Sequence, residues 1–152
     1  DVMTVAKALG NGVPIGAFLT SGKASDVLKP GDHGSTYGGN PLVCAVASKV
    51  LDIFKEDNIT GNVKAVGDYL KEKLEGMAKE YPFIKEVRGK GLLLGMEFDG
   101  PVADIIKSAL LDEKMVLINA GSNVLRFIPP LIISKEDVDD ALERLKRVLN
   151  KF

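Results

Sequence analysis

The chain carries 20 basic and 21 acidic side chains among its 152 residues, and the resulting net charge of −1 gives no electrostatic footprint for nucleic acid or an anionic membrane. Its 45% apolar and 27% charged residues are those of an ordinary globular protein, long enough for one cored domain or two small lobes, and no apolar run approaches the roughly 18 to 20 residues that span a bilayer. The single cysteine, Cys44, excludes an internal disulfide and fits a reducing, cytoplasmic setting.

The opening Asp1-Val2-Met3-Thr4-Val5-Ala6 has neither an initiator methionine nor the charged, apolar and small-residue regions of a signal peptide; it reads as the middle of a longer α/β protein. Glycines and short apolar runs fill the first 40 residues, and Val13-Pro14-Ile15-Gly16-Ala17-Phe18-Leu19-Thr20 reads as a buried strand ended by Ser21-Gly22. A helix starts at Asn40-Pro41, where asparagine can cap the first amides and proline fits the first helical position. Leu42, Val43, Val46, Val50, Leu51 and Phe54 make it apolar on most sides, so it is expected to be largely buried. The style changes near residue 60. Val63, Val66, Leu70, Leu74, Met77 and Tyr81 then recur at spacings of three and four, one face of a helix that Pro82 ends. Residues 84–88 and 91–98 read as strands separated at Gly89-Lys90-Gly91. Pro101 opens a further helix with Val102, Ile105, Ile106, Ala109 and Leu110 on one face; short strands follow at 115–118 and 124–128. The last helix starts at Ser134, with Asp137 completing an aspartate version of the capping box, and its apolar face runs from Val138 through Leu145 and Leu149 to Phe152. The second part thus predicts one small sheet of about four strands, covered on one face by helices.

Several chemical motifs fail on inspection. Gly89-Lys90-Gly91 lacks the third glycine of a dinucleotide fingerprint and precedes a strand; Gly22-Lys23-Ala24 lacks the hydroxyl of a P-loop; His33 has no ligand partner at metal spacing; and no Gly-x-Ser-x-Gly elbow is present. Two segments remain. In Thr4-Val5-Ala6-Lys7-Ala8-Leu9-Gly10-Asn11-Gly12, Lys7 is either a solvated strand-end charge or a half-buried amine that loses its proton readily and becomes a nucleophile, with neighbouring glycines admitting a flat ligand. His33-Gly34-Ser35-Thr36-Tyr37-Gly38-Gly39-Asn40-Pro41 sets two hydroxyls ahead of a helix N-terminus, either as an anion site built from hydroxyls and free amides or as a capped turn without a ligand.

These two segments, followed in order by Val87-Arg88-Gly89-Lys90-Gly91-Leu92 and Leu125-Arg126-Phe127-Ile128-Pro129-Pro130-Leu131, resemble the class III pyridoxal-phosphate (PLP) aminotransferases over the whole chain. The wording Val13-Pro14-Ile15-Gly16-Ala17 resembles the acetylornithine group more than the ornithine or 4-aminobutyrate groups. The resemblance implies an α/β fold: residues 1–60 as the end of a fold type I PLP-binding large domain, and 61–152 as an α+β C-terminal small domain. It implies that Lys7 carries PLP covalently and moves the proton at the substrate Cα, that Thr36 binds the PLP phosphate of the neighbouring subunit in a homodimer, that Ser35 contacts the acylated substrate, and that Arg126 receives the α-carboxylate. Arg88 matches a family arginine best read as a structural charge. The substrates implied are N-acetylornithine and 2-oxoglutarate or glutamate, in arginine synthesis, with succinylornithine, acetyl-lysine, ornithine or 4-aminobutyrate as alternative donors. The family's phosphate loop, ring-stacking aromatic and ring-pairing aspartate have no match in this chain, so these 152 residues alone are expected to be inactive, or to serve only as a folding or interaction module.

Overall fold

A computed structural model describes all residues from Asp1 to Phe152 and divides into two compact units, Asp1–Asn58 and Ile59–Phe152. In the first unit, strand β1 (Val2–Val5) pairs antiparallel with β2 (Ala17–Thr20), Val2 opposite Thr20 and Val5 opposite Ala17. The expected strand over 13–20 therefore begins four residues late, because Gly10 to Gly16 is spent on a turn that reverses the chain. Nor is it buried: no second layer of this unit covers the two-stranded ribbon, and Phe18 and Leu19 are exposed.

Helix α1 (Pro41–Glu56) starts where its cap residues require. The Asn40 carboxamide accepts from the Val43 N–H at 3.2 Å, and Pro41 takes the first helical position. Its expected burial is corrected, since only Val43 and Ala47 are buried while Leu42 and Leu51 are exposed. An apolar helix surface buries only where the unit offers a facing layer, and this unit offers little more than the turn at Lys7–Leu9.

The second unit owns the core. Helix α2 (Ile59–Glu80) buries Val66, Leu70, Leu74 and Met77 from the face that periodicity marks. Strands β3 (Ile84–Lys90), β4 (Leu93–Phe98), β5 (Ile118–Ala120) and β6 (Val124–Phe127) form an antiparallel sheet in the order β3-β4-β6-β5. Helices α3 (Ala103–Glu113) and α4 (Lys135–Leu149) complete the unit. Alternation along the strands gives the sheet two unlike faces. Leu94, Met96 and Leu125 point into the core with Leu145, Val148 and Leu149, each essentially solvent-free and each contributing roughly 1.5–3 kcal/mol of burial. The other face carries Glu86, Arg88, Gly95, Glu97 and Arg126 and stays open.

The β3–β4 connection is tighter than the glycine pattern suggests. Lys90 pairs with Leu93, which leaves only Gly91 and Leu92 in the turn, and Gly89 remains in the strand. Gly89 holds φ +130, and a Cβ there would overlap the Leu93 carbonyl oxygen, so glycine extends the strand here where any other residue would end it. The strand expected at 115–118 shifts to Ile118–Ala120, because the hairpin through Gly121 fixes the register with β6. At α4 the capping box is complete: Ser134 Oγ accepts from the Asp137 N–H at 3.1 Å, and Asp137 Oδ2 accepts from the Ser134 N–H and hydroxyl. These hydrogen bonds hold the Asp137 carboxyl below its ordinary value.

One close contact sets how α2 meets the sheet. A Cβ on Gly67 would overlap the Gly91 carbonyl group, and Gly91 itself holds φ +56 with Val63 Cγ1 2.8 Å from where its own Cβ would stand. Gly67→Ala is therefore expected to destabilise the fold by about 2 kcal/mol, outweighing the roughly 1 kcal/mol by which alanine is the better helix former. Urea unfolding checks this; an unchanged midpoint would mean that the turn yields freely.

Candidate active site

Lys7 sits where β1 breaks. Ala6 is still extended (φ −159, ψ −164), and the chain then turns sharply at Lys7, whose φ is +54. Successive turn hydrogen bonds follow, Gly10 N–H to Lys7 O at 3.2 Å and Asn11 N–H to Ala8 O at 3.1 Å. The left-handed region is one that lysine seldom adopts, and holding a non-glycine residue there costs on the order of 1–3 kcal/mol. Gly10 permits the turn, since a Cβ there would overlap the Val13 carbonyl oxygen. The half-buried setting that one of the two readings of Lys7 requires is not found. Ala6, Lys7 and Ala8 are exposed, because the flanking apolar residues are small or lie on the uncovered ribbon.

The loop of Ser35 and Thr36 is braced from within. Ser35 Oγ accepts from the Gly38 N–H at 2.9 Å, and a Cβ on Gly38 would stand 2.6 Å from that oxygen. Asn40 Nδ2 donates to Tyr37 O at 2.8 Å while its other amide atom caps α1. The supply of free amides expected ahead of this helix is thus largely used up: Pro41 has no N–H and Val43 is capped. What remains for an anion is the Thr36 hydroxyl, exposed and without a partner in the chain, beside the unobstructed backbone of Gly34 and Gly39. A concavity of about 570 Å3 brings the Ser35 loop against the ribbon, with His33, Ser35 and Gly38 on one side and Val5, Gly16 and Ala17 on the other; neither Lys7 nor Thr36 lines it.

Arg126 belongs to the second unit. It lies on β6 opposite Gly95, on the open face of the sheet. Arg88, Arg144 and Arg147 each pair with a carboxylate, whereas Arg126 pairs with none. Arg88 is tied within the sheet: Nη1 donates to Glu86 Oε2 at 2.8 Å and also to Glu97 Oε2, and these carboxylates, Glu97 foremost, hold its guanidinium above the ordinary value. After β6 the chain passes over an apolar groove of about 410 Å3 lined in part by Leu117, Phe127, Pro129, Ile133 and Leu142. Asn62 on α2 fixes this passage, donating to Leu131 O at 2.8 Å and Ile133 O at 3.2 Å. Sequence reasoning missed Asn62, whose partners lie some 70 residues away, and it missed Glu97, which alternation along β4 sets on the same face as Gly95.

The sequence matches the family described as Aminotransferase class-III over residues 1–149. The chain belongs to the class III aminotransferases. It is 47% identical over 154 residues to an acetylornithine aminotransferase of Caldanaerobacter subterraneus, covering 100% of this chain and 38% of that protein. It is 44% identical to the mitochondrial acetylornithine aminotransferase of Eremothecium gossypii, covering 100% of this chain and 36% of the relative. Among solved structures, the ornithine aminotransferase of Toxoplasma gondii superposes with a TM-score of 0.90 at 35% identity, over 99% of this chain and 37% of that one. The acetylornithine aminotransferase of Elizabethkingia anophelis gives 0.89 at 31% identity, over 100% and 39%. The chain thus spans little more than a third of the relatives it matches, and its fold is the corresponding part of a fold type I, PLP-dependent aminotransferase. The donor set in the first unit suits such a cofactor: an amine on a strained turn for the aldehyde, and an unpartnered hydroxyl beside bare glycine backbone for the phosphate. No helix is long and apolar enough to cross a membrane.

Proposed function

We propose that the chain is the C-terminal part of a cytoplasmic, homodimeric aminotransferase that moves the amino group of N-acetylornithine to 2-oxoglutarate in arginine biosynthesis. The observation that carries this reading is Lys7 in the left-handed region, since glycine or asparagine would hold the turn at less cost and neither could supply an amine. Residues to about 60 close the large cofactor domain and the remainder is the small domain. PLP, when bound, would supply an electron sink that lets the C–H bond at the carbon bearing the transferred amino group ionise. The chain's own residues do the rest. Lys7 Nζ would hold the cofactor covalently and would take and return the proton at the carbon bearing the transferred amino group. Thr36 Oγ1 donates to the phosphate of the neighbouring subunit's cofactor. Ser35, whose oxygen accepts from Gly38, keeps its hydroxyl proton to donate to the acyl end of the substrate. Arg126, free of internal carboxylates, receives the α-carboxylate common to both amino-acid substrates through its planar fork. The acetylornithine assignment is supported by curated relatives of that name at 42–47% identity.

The test is borohydride reduction of the full-length holoenzyme followed by peptide mapping, together with kcat/KM for N-acetylornithine, succinylornithine, acetyl-lysine, ornithine and 4-aminobutyrate. The pyridoxyl group is expected on Lys7 and the highest kcat/KM with N-acetylornithine. Label on another lysine would end the first assignment; a preferred different donor would end the second.

A further inference from the structure

The open face of the small sheet poses an electrostatic problem. Gly95 on β4 is the register partner of Arg88 on β3 and also of Arg126 on β6, so the two arginines flank a position with no side chain. Glu97 lies two residues further along β4 on the same face, diagonal to both arginines. Diagonal neighbours stand about 7–8 Å apart, within reach of long side chains, so the register puts both arginines within reach of Glu97. It goes to Arg88: Glu97 Oε2 accepts from Arg88 Nη1, Glu86 Oε2 accepts from the same nitrogen at 2.8 Å, and the other oxygen of Glu97 lies 3.5 Å from Asn123 Nδ2. Arg126 is left without an internal carboxylate beside Gly95, where the nearest side-chain atom is Val124 Cγ1, 3.2 Å from where a Cβ would stand.

We infer that Arg88 is a positioning residue for substrate binding: it holds Glu97 away from Arg126 and so keeps the second guanidinium free for the substrate carboxylate. This rests on the assignment of Arg126 as the carboxylate receptor. Without Arg88, Glu97 has one long cation within reach on its face and swings to it. The carboxylate substrate must then displace an internal one, an effect on ground-state binding rather than on chemistry.

The experiment uses the intact holoenzyme. Arg88→Met is expected to raise KM for both N-acetylornithine and glutamate about five-fold, the weight of one competing ion pair, with kcat changed less than about two-fold. Glu97→Gln in the Arg88→Met background removes the competitor and is expected to return KM to within about two-fold of the parent, whereas a merely structural loss would deepen or persist. Arg88→Lys, which keeps a cation for Glu97, is expected to behave as the parent, and Arg88→Gln replaces Arg88→Met should that variant not fold. Unchanged KM in the Arg88 variants, or no recovery in the double variant, overturns the inference. Arg126→Lys, measured alongside, separates the two levels. If it impairs carboxylate substrates while Arg88→Met does not, only the positioning role fails. If it leaves them unaffected, the receptor assignment fails and the positioning role with it.

Discussion

Mixing two inactive full-length variants, Lys7→Ala and Thr36→Asp, is expected to restore transamination. Each alone should lose at least about 10^3-fold in kcat, the first because no amine would remain to hold the cofactor and move the proton at the reacting carbon, the second because a carboxylate would face the phosphate. In a two-fold dimer with Thr36 acting on the neighbouring subunit's cofactor, a mixed dimer concentrates both defects in one site and leaves the other intact. Random exchange of equal amounts makes half the dimers mixed, so recovery should approach about a quarter of parental activity. The exposed Thr36 hydroxyl, without a partner in its own chain, is available for such a contact. Subunit exchange followed by mass spectrometry, with activity measured on the same sample, checks the result; proven mixed dimers without activity would put Thr36 in its own subunit's site and reject the shared arrangement.

Amide hydrogen exchange on the 152-residue chain is expected to separate its two units by a wide margin. Amides of β4 and β6, flanked by Leu94, Met96 and Leu125, open only with the core of the second unit. Amides of the β1–β2 ribbon belong to two strands with exposed Val2, Met3, Phe18 and Leu19, and two-stranded ribbons are marginal in water. The protection ratio should reach at least about 10^3, which needs only some 4 kcal/mol of difference in opening free energy. Similar protection in both units would show that the ribbon draws stability from contacts other than its own.

The second unit was legible because its signals are local and mutually consistent. Helix α2 shows its buried face at spacings of three and four, Ser134 announces a helix start, and Pro82 ends one; each rule depends on residues within a turn of one another. The family resemblance pointed to Lys7 and Arg126 but carried nothing of their conformations. Nothing in the pattern announces a lysine at φ +54, since that value follows from the turn through Gly10 to Val13. The burial of α1 and of β2 was misread for a related reason. An apolar pattern records what a segment buries when a layer faces it, and the first unit supplies no such layer over Leu42, Leu51, Phe18 or Leu19. The Arg88–Glu97 pair lay hidden behind the hairpin: the separation of the strands at Gly89 had to move to Gly91 before alternation could set those side chains side by side.

Asn62 has a mechanical consequence. Its carboxamide spends both donations on the Leu131 and Ile133 carbonyls, and so ties the first turns of a 22-residue helix to the passage that leaves β6 just after Arg126. Pro129 and Pro130 stiffen that passage by fixing their own φ. A displacement of α2 along its axis is therefore carried to the strand end that presents the guanidinium, with the helix as a lever and one amide as its hinge pin.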